Sequence, residues 1–198
     1  MALDPTIRIN LERSVVLLVD DNPQALEALS GMVRGFGVRK QFKCASVAEA
    51  MNYVQMHELD LIIIDANMPD MDGADFVRWL RREAPPEKMF TPVIMLSGHT
   101  AQSLVEKSRD CGANFIMAKP FAPDVLLQRI FWVAKDERQM VRAETYVGPD
   151  RRFKNLGPPL GMKGRRRDDL SAHVGAAVDP NLDQTDIDQM FKPARVQL

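Results

Sequence analysis

The chain has 198 residues, 45% of them hydrophobic and 27% charged, with a formal net charge of −1. That balance is ordinary for a soluble globular protein and gives no overall pull toward nucleic acid or membrane. No apolar run reaches the roughly 18 residues of a spanning helix, and residues 1–10 lack a basic segment leading into an apolar one, so a cytoplasmic protein with neither span nor signal peptide is expected.

In chain order, residues 1–13 read as a lead-in. Ser14 to Val19 is a continuous apolar run ending in Asp20-Asp21. Without alternation it reads as a strand buried on both faces. Pro23 stands where helices start. Leu26, Leu29, Met32, Val33 and Phe36 follow at helical spacing, and Gly35 and Gly37 end that helix. Val38 to Cys44 is a second strand. Ser46 and Glu49 form a capping box, with Val47, Ala50, Met51 and Val54 as the apolar face of the next helix. Cys44 and Cys111 belong to no Cys-x-x-Cys or Cys/His cluster. That argues against structural zinc and fits small core residues in a reducing compartment.

Leu61 to Ile64, three of them β-branched, run straight into Asp65, a third doubly buried strand. Pro69 and Gly73 break the chain ahead of a helix marked by Phe76, Val77 and Leu80, with Arg78, Arg81 and Arg82 on its wet side. Pro85-Pro86 ends it. Pro92 to Ser97 is the fourth strand, and Gly98-His99-Thr100 a loop with Thr100 as the cap of a helix. Ala101, Leu104, Val105, Ser108 and Cys111 line that helix, and Gly112 closes it. Asn114 to Ala118 is the fifth strand, closed by Lys119-Pro120. Val125 to Met140 reads as a long final helix.

Strand and helix thus alternate five times, which predicts an α/β protein with a five-stranded parallel sheet doubly wound by helices. The carboxyl ends of the strands, where such folds keep their sites, carry Asp20-Asp21, Asp65, Ser97 and Lys119. Singly these read as turn acids, a cap and a solvated lysine. Three carboxylates in one cleft repel one another unless a cation joins them, and an all-oxygen donor set with open positions suits Mg2+. A lysine supplies a point charge for an anion. Together they describe a site that accepts a phosphoryl group as an aspartyl phosphate on Asp65.

At these residues the sequence resembles the receiver domain of two-component response regulators. The matching stretches are Val-Asp-Asp at 19–21, Ile-Ile-Asp-Ala-Asn-Met-Pro-Asp-Met-Asp-Gly at 63–73, Val-Ile-Met-Leu-Ser at 93–97 and Ala-Lys-Pro-Phe at 118–121. The resemblance implies a flavodoxin-like (βα)5 unit, set here at residues 14–141, with Asp65 as phosphoacceptor. Mg2+ would be held by Asp20, Asp21, Asp65 and the Asn67 carbonyl, with Ser97 as switch hydroxyl, Lys119 as phosphate-binding lysine and a cis peptide before Pro120. It also implies a sensor histidine kinase or a histidine phosphotransfer protein as phosphodonor, and a downstream protein target. The family's switch aromatic is replaced by Ile116, which cannot make a ring rotation. A magnesium phosphatase of the haloacid-dehalogenase kind would want Asp-x-Asp after its first strand, so the chain is expected not to be an enzyme.

Residues 142–198 read as an irregular tail in which Gly148-Pro149-Asp150 and Gly157-Pro158-Pro159 interrupt any helix or strand. Eight basic residues between Arg142 and Arg167, against Glu144 and Asp150, give +6; six aspartates between Asp168 and Phe191 give −6. Arg151, Arg152, Arg165, Arg166 and Arg167 could hold phosphates, so an alternative reading is a cyclic-di-GMP effector. The acidic half and the lack of a helix-turn-helix pattern speak against DNA. Residues 181–191 are expected as a short amphipathic helix anchored by Leu182, Ile187, Met190 and Phe191. They are similar to the N-terminal peptide of the flagellar motor switch protein, which suggests docking on a receiver groove, in this chain or by self-association.

Overall fold

Five apolar runs pair into one parallel sheet in the computed structural model, which describes residues 10–99, 101–136, 138–150 and 182–191. The strands are β1 (Val15–Val19), β2 (Lys40–Cys44), β3 (Leu61–Asp65), β4 (Val93–Ser97) and β5 (Phe115–Ala118), in spatial order β2-β1-β3-β4-β5. The helices α1 (Pro23–Gly35), α2 (Val47–Met56), α3 (Gly73–Arg82) and α4 (Gln102–Asp110) connect them, and α5 (Pro123–Ala134) follows β5. This is the doubly wound fold that the alternation of elements predicts.

The central strand β3 is buried along its whole length, with Ile62, Ile63 and Ile64 at 0% exposure. Each such side chain contributes roughly 1.5–3 kcal/mol relative to exposure. The edge strand β2 instead carries exposed Lys40 and Lys43, which discourages pairing with other chains. Capping follows the sequence for three helices. Asn22 accepts from the Gln24 and Ala25 N–H groups at 2.9 and 3.2 Å, Ser46 from Glu49 N at 3.2 Å and Asp72 from Asp75 N at 2.8 Å. The α4 N-cap is Ala101, which supplies no side-chain cap bond; Thr100, expected there, lies outside the described residues.

Three expectations need correction. Arg81 is not on the wet side of α3 but 1% exposed. It stands four residues after Val77 and so shares the inner face. Its guanidinium is satisfied by four acceptors: Nε donates to Gly112 O at 3.0 Å, Nη1 to Met89 O at 2.7 Å and Thr91 O at 2.8 Å, and Nη2 to Asn114 Oδ1 at 3.0 Å.

The final helix stops at Ala134 rather than Met140. Arg138 turns the chain back, donating to both Asp136 carboxylate oxygens and to Asn114 O, with its guanidinium 4.7 Å from the Trp132 ring centroid. Gly148 and Pro149 do not interrupt a strand but lie in one. β6 (Met140–Arg142) and β7 (Val147–Pro149) form an antiparallel hairpin that crosses the boundary placed at 141/142. Proline is tolerated at such a two-stranded edge. The hairpin seats against Gly112, whose φ of +97° and contact with the Val147 carbonyl leave no room for a Cβ.

A last helix, α6 (Gln184–Phe191), covers the outer edge of β5. It starts three residues later than the expected 181. The Asp183 carboxylate accepts from Asp186 N at 2.9 Å at its start.

Candidate functional site

The strand order reverses between β1 and β3, since β2 lies on one side of β1 and β4–β5 on the other. A crevice at the carboxyl ends of the strands forms at that switch point, and it sets Asp20, just past β1, beside Asp65, the last residue of β3. Asp20 is 2% and Asp65 7% exposed. The Lys119 ammonium, arriving from the end of β5, lies 2.7 Å from Asp20 Oδ2 and 2.8 Å from Asp65 Oδ1. The remaining carboxylate oxygens accept from backbone: Asp20 Oδ1 from Asn22 N at 3.0 Å and Asp65 Oδ2 from Asn67 N at 3.3 Å. The Asp65 carboxylate is therefore held through both of its oxygens. The Lys119–Pro120 bond is cis, as the resemblance implies.

The electrostatics follow from this packing. Burial pushes the Asp65 carboxyl above its usual range, against the pull of Lys119. Burial also opposes charge on Lys119, yet its hydrogen bonds to Asp20 and Asp65 carry it above the ordinary lysine value. Two acids thus share one cation.

Asp21 is exposed, and among the described residues no three His, Cys, Asp or Glu side chains are arranged to hold a metal ion. Asp20 and Asp65 are thus a buried pair, and Asp21, next to Asp20 in the chain, is exposed. The pair itself fits a hard cation: its donors are oxygen only, and an ammonium already bridges it.

Ser97 is fully buried at the end of β4. Its hydroxyl donates to His99 O and accepts from His99 N at 3.1 Å, so it is engaged with its own loop. Ile116 is fully buried in β5. Gly73 carries a role that sequence reasoning gave only to its chain-breaking. A Cβ there would stand 2.5 Å from Asp65 O, so the start of α3 packs directly on the backbone of the candidate phosphoacceptor. Asn22, whose N–H orients Asp20, was also missed; its place two residues after an acid at a strand end was the available signal.

Of the tail residues, Arg151, Arg152, Arg165, Arg166 and Arg167 lie outside the described residues. Ile187 is fully buried, with Leu182 and Met190 packed against the same core. Phe191 closes α6. The polar contacts of this segment run through Gln184 and Asp188. Asp188 pairs with Arg129 of α5.

A model of the response regulator receiver domain matches residues 16–131, more than half of the 198 residues. The chain belongs to that family, whose members are phosphoacceptor domains of two-component signalling. The response regulator protein TmoT of Ectopseudomonas mendocina is 37% identical over 123 residues, covering 62% of this chain and 53% of that protein. The transcriptional regulatory protein KdpE of Mycobacterium tuberculosis is 35% identical over 119 residues, 59% of this chain and 49% of that one. The chain therefore spans about half the length of the curated relatives it matches. Among solved structures, chemotaxis protein CheY4 of Vibrio cholerae is similar at 32% identity and a TM-score of 0.57, covering 61% of this chain and 98% of that one.

Proposed function

We propose that the chain accepts a phosphoryl group on Asp65 from a histidine kinase or histidine phosphotransfer protein, and signals through protein–protein contact. The observation that carries this reading is the sharing of the Lys119 ammonium by Asp20 and Asp65 at 2.7 and 2.8 Å. A fixed carboxylate at a strand end is a positioned nucleophile. An Asp65 oxygen attacks the phosphorus of a phosphohistidine, the P–N bond breaks, and the leaving imidazole nitrogen keeps the electron pair. Lys119 follows the charge onto the transferred group, and Asn67 N holds the second carboxylate oxygen in place. Asp20, Asp21, Asp65 and the Asn67 carbonyl would hold Mg2+, which when bound supplies neutralisation of phosphoryl oxygens.

We read the protein as acting in the cytoplasm, as a receiver without a catalytic output, its tail modulating partner binding; the likeness of residues 181–191 to a motor switch peptide suggests docking in a receiver groove, its own or another chain's. Among the described residues no helix is long and apolar enough to cross a membrane. The test is incubation with acetyl phosphate and Mg2+ followed by peptide mass spectrometry. One phosphoryl adduct on Asp65, lost in Asp65→Asn, supports the reading; an unmodified Asp65 peptide under conditions that phosphorylate a control receiver overturns it.

A further inference from the structure

β5 pairs with β4 on one side, and among the described residues no strand pairs with its other side, so that outer edge would present unpaired backbone groups. The side chain of Gln184 engages two of them. Its Oε1 accepts from Ala118 N at 2.8 Å, and its Nε2 donates to Ile116 O at 3.5 Å and to Asp188 Oδ1 at 3.0 Å. One side-chain amide thus stands in for a sixth strand. Two further contacts fix the helix there: Ile187 is fully buried, and Asp188 pairs with Arg129, whose guanidinium lies 5.0 Å from the Phe115 ring centroid. An eight-residue helix is too short to persist without such support, so its order depends on docking.

The docked amide has a particular position. Ala118 immediately precedes Lys119, whose ammonium bridges Asp20 and Asp65 and whose backbone N–H donates to Ser97 O at 2.7 Å. Ala118 N points outward to α6, while Lys119 N points inward to β4. A displacement of the strand end at Lys119 would therefore be felt at the adjacent Ala118 N–H.

We propose that α6 is an intramolecular latch on the β5 edge: it stays closed while Lys119 bridges Asp20 and Asp65, and opens when Lys119 is drawn toward a phosphoryl group on Asp65. The occupant of the edge in the resting chain is its own residues 182–191. The coupling half rests on the phosphoacceptor reading above; the docking half stands without it. Linkage makes the effect reciprocal, so an undocked α6 favours the phosphorylated state. A simple edge cover would block aggregation equally well but would be indifferent to Asp65.

The test is amide hydrogen exchange on the full chain, followed at Ala118 and across residues 184–191, with adduct formation at Asp65 measured by mass spectrometry in the same samples. Acetyl phosphate with Mg2+ is the probe. Slow exchange is expected at rest, independent of protein concentration, rising about tenfold with the donor and unchanged by donor in Asp65→Asn. Asp188→Arg should give fast exchange without donor, and Arg129→Asp added to it should restore protection; Ile187→Asp is a second disrupting variant. Exchange at Ala118 that ignores both Asp188→Arg and Ile187→Asp overturns the docking. Protection that grows with protein concentration overturns the intramolecular occupant in favour of a second copy. An Asp65 adduct with unchanged exchange overturns the coupling. Absence of the adduct instead counts against the phosphoacceptor reading and the coupling with it, leaving the docking judged by the charge-reversal pair.

Discussion

Arg81 offers the most quantitative test of how the sheet is held. Replacing it with methionine keeps the aliphatic stem and removes the guanidinium. Asn114 Oδ1 would keep Val93 N as a donor at 3.0 Å, so the groups left short are the Met89, Thr91 and Gly112 carbonyls. Each buried acceptor left unpaired costs roughly 1–3 kcal/mol. Against that, the variant escapes the cost of desolvating a guanidinium, which is several kcal/mol for a buried ion. Burial pulls this guanidinium down to about 10, still charged at neutral pH.

The balance for Arg81→Met is a net loss of about 2–5 kcal/mol. Urea unfolding should show it as a midpoint lower by about 1–2.5 M at a slope near 2 kcal/mol/M. The neighbouring Arg82 is exposed and bonds Thr145 O at 3.2 Å, so Arg82→Met should change stability by less than about 1 kcal/mol. If Arg81→Met left the midpoint within about 0.3 M of the parent at an unchanged slope, the claim that these carbonyls depend on Arg81 would be wrong.

Three other substitutions or conditions probe the site and its supports. Gly73→Ala places a methyl 2.5 Å from Asp65 O; overpacking of this kind costs roughly 1–3 kcal/mol, and the rate of adduct formation at Asp65, followed by intact-mass spectrometry, should fall with it. Gly112→Ala meets both a φ of +97° and the Val147 carbonyl; left-handed strain alone costs about 1–2 kcal/mol, and thermal unfolding should report at least that, with the β6–β7 hairpin more open to proteolysis. Lys119 has a folded pKa raised above 10.5, so its stabilising contribution is complete below that pH and is lost as pH rises through the folded value. An alkaline unfolding series should show this decline, and Asp20→Asn, which removes a partner, should flatten it.

Much of this was legible because it is local. β1, β3 and β4 are apolar runs that end in Asp20, Asp65 and Ser97, and a parallel sheet leaves such runs few alternatives. Ser46 caps α2 through Glu49, three residues away. What escaped depends on distant partners. Arg81 looked solvated because its acceptors come from residues 89, 91, 112 and 114, which helical periodicity does not register. The final helix looked long because Met140 extends an apolar pattern, whereas the chain is reversed where Arg138 reaches Asn114 O. The bond between Gln184 and the Ala118 N–H joins residues 66 positions apart.

These distant contacts also give β5 a mechanical asymmetry. At its start, Asn114 is held by Arg81 through its side chain and by Arg138 through its carbonyl, and it also accepts from Val93 N. At its end, the strand meets the acid cleft through Lys119 and α6 through Ala118. A strand pinned at its entrance and loaded at its exit pivots rather than slides. A pull on Lys119 is then delivered to Ala118 instead of being absorbed by a shift of the whole strand. Loosening the entrance should therefore blunt the exit. Under conditions where Arg81→Met remains folded, donor-dependent exchange at Ala118 should be smaller than in the parent, although neither the acid pair nor the Gln184 contact has been touched. An undiminished response in that variant would mean that β5 transmits the change without needing its entrance held.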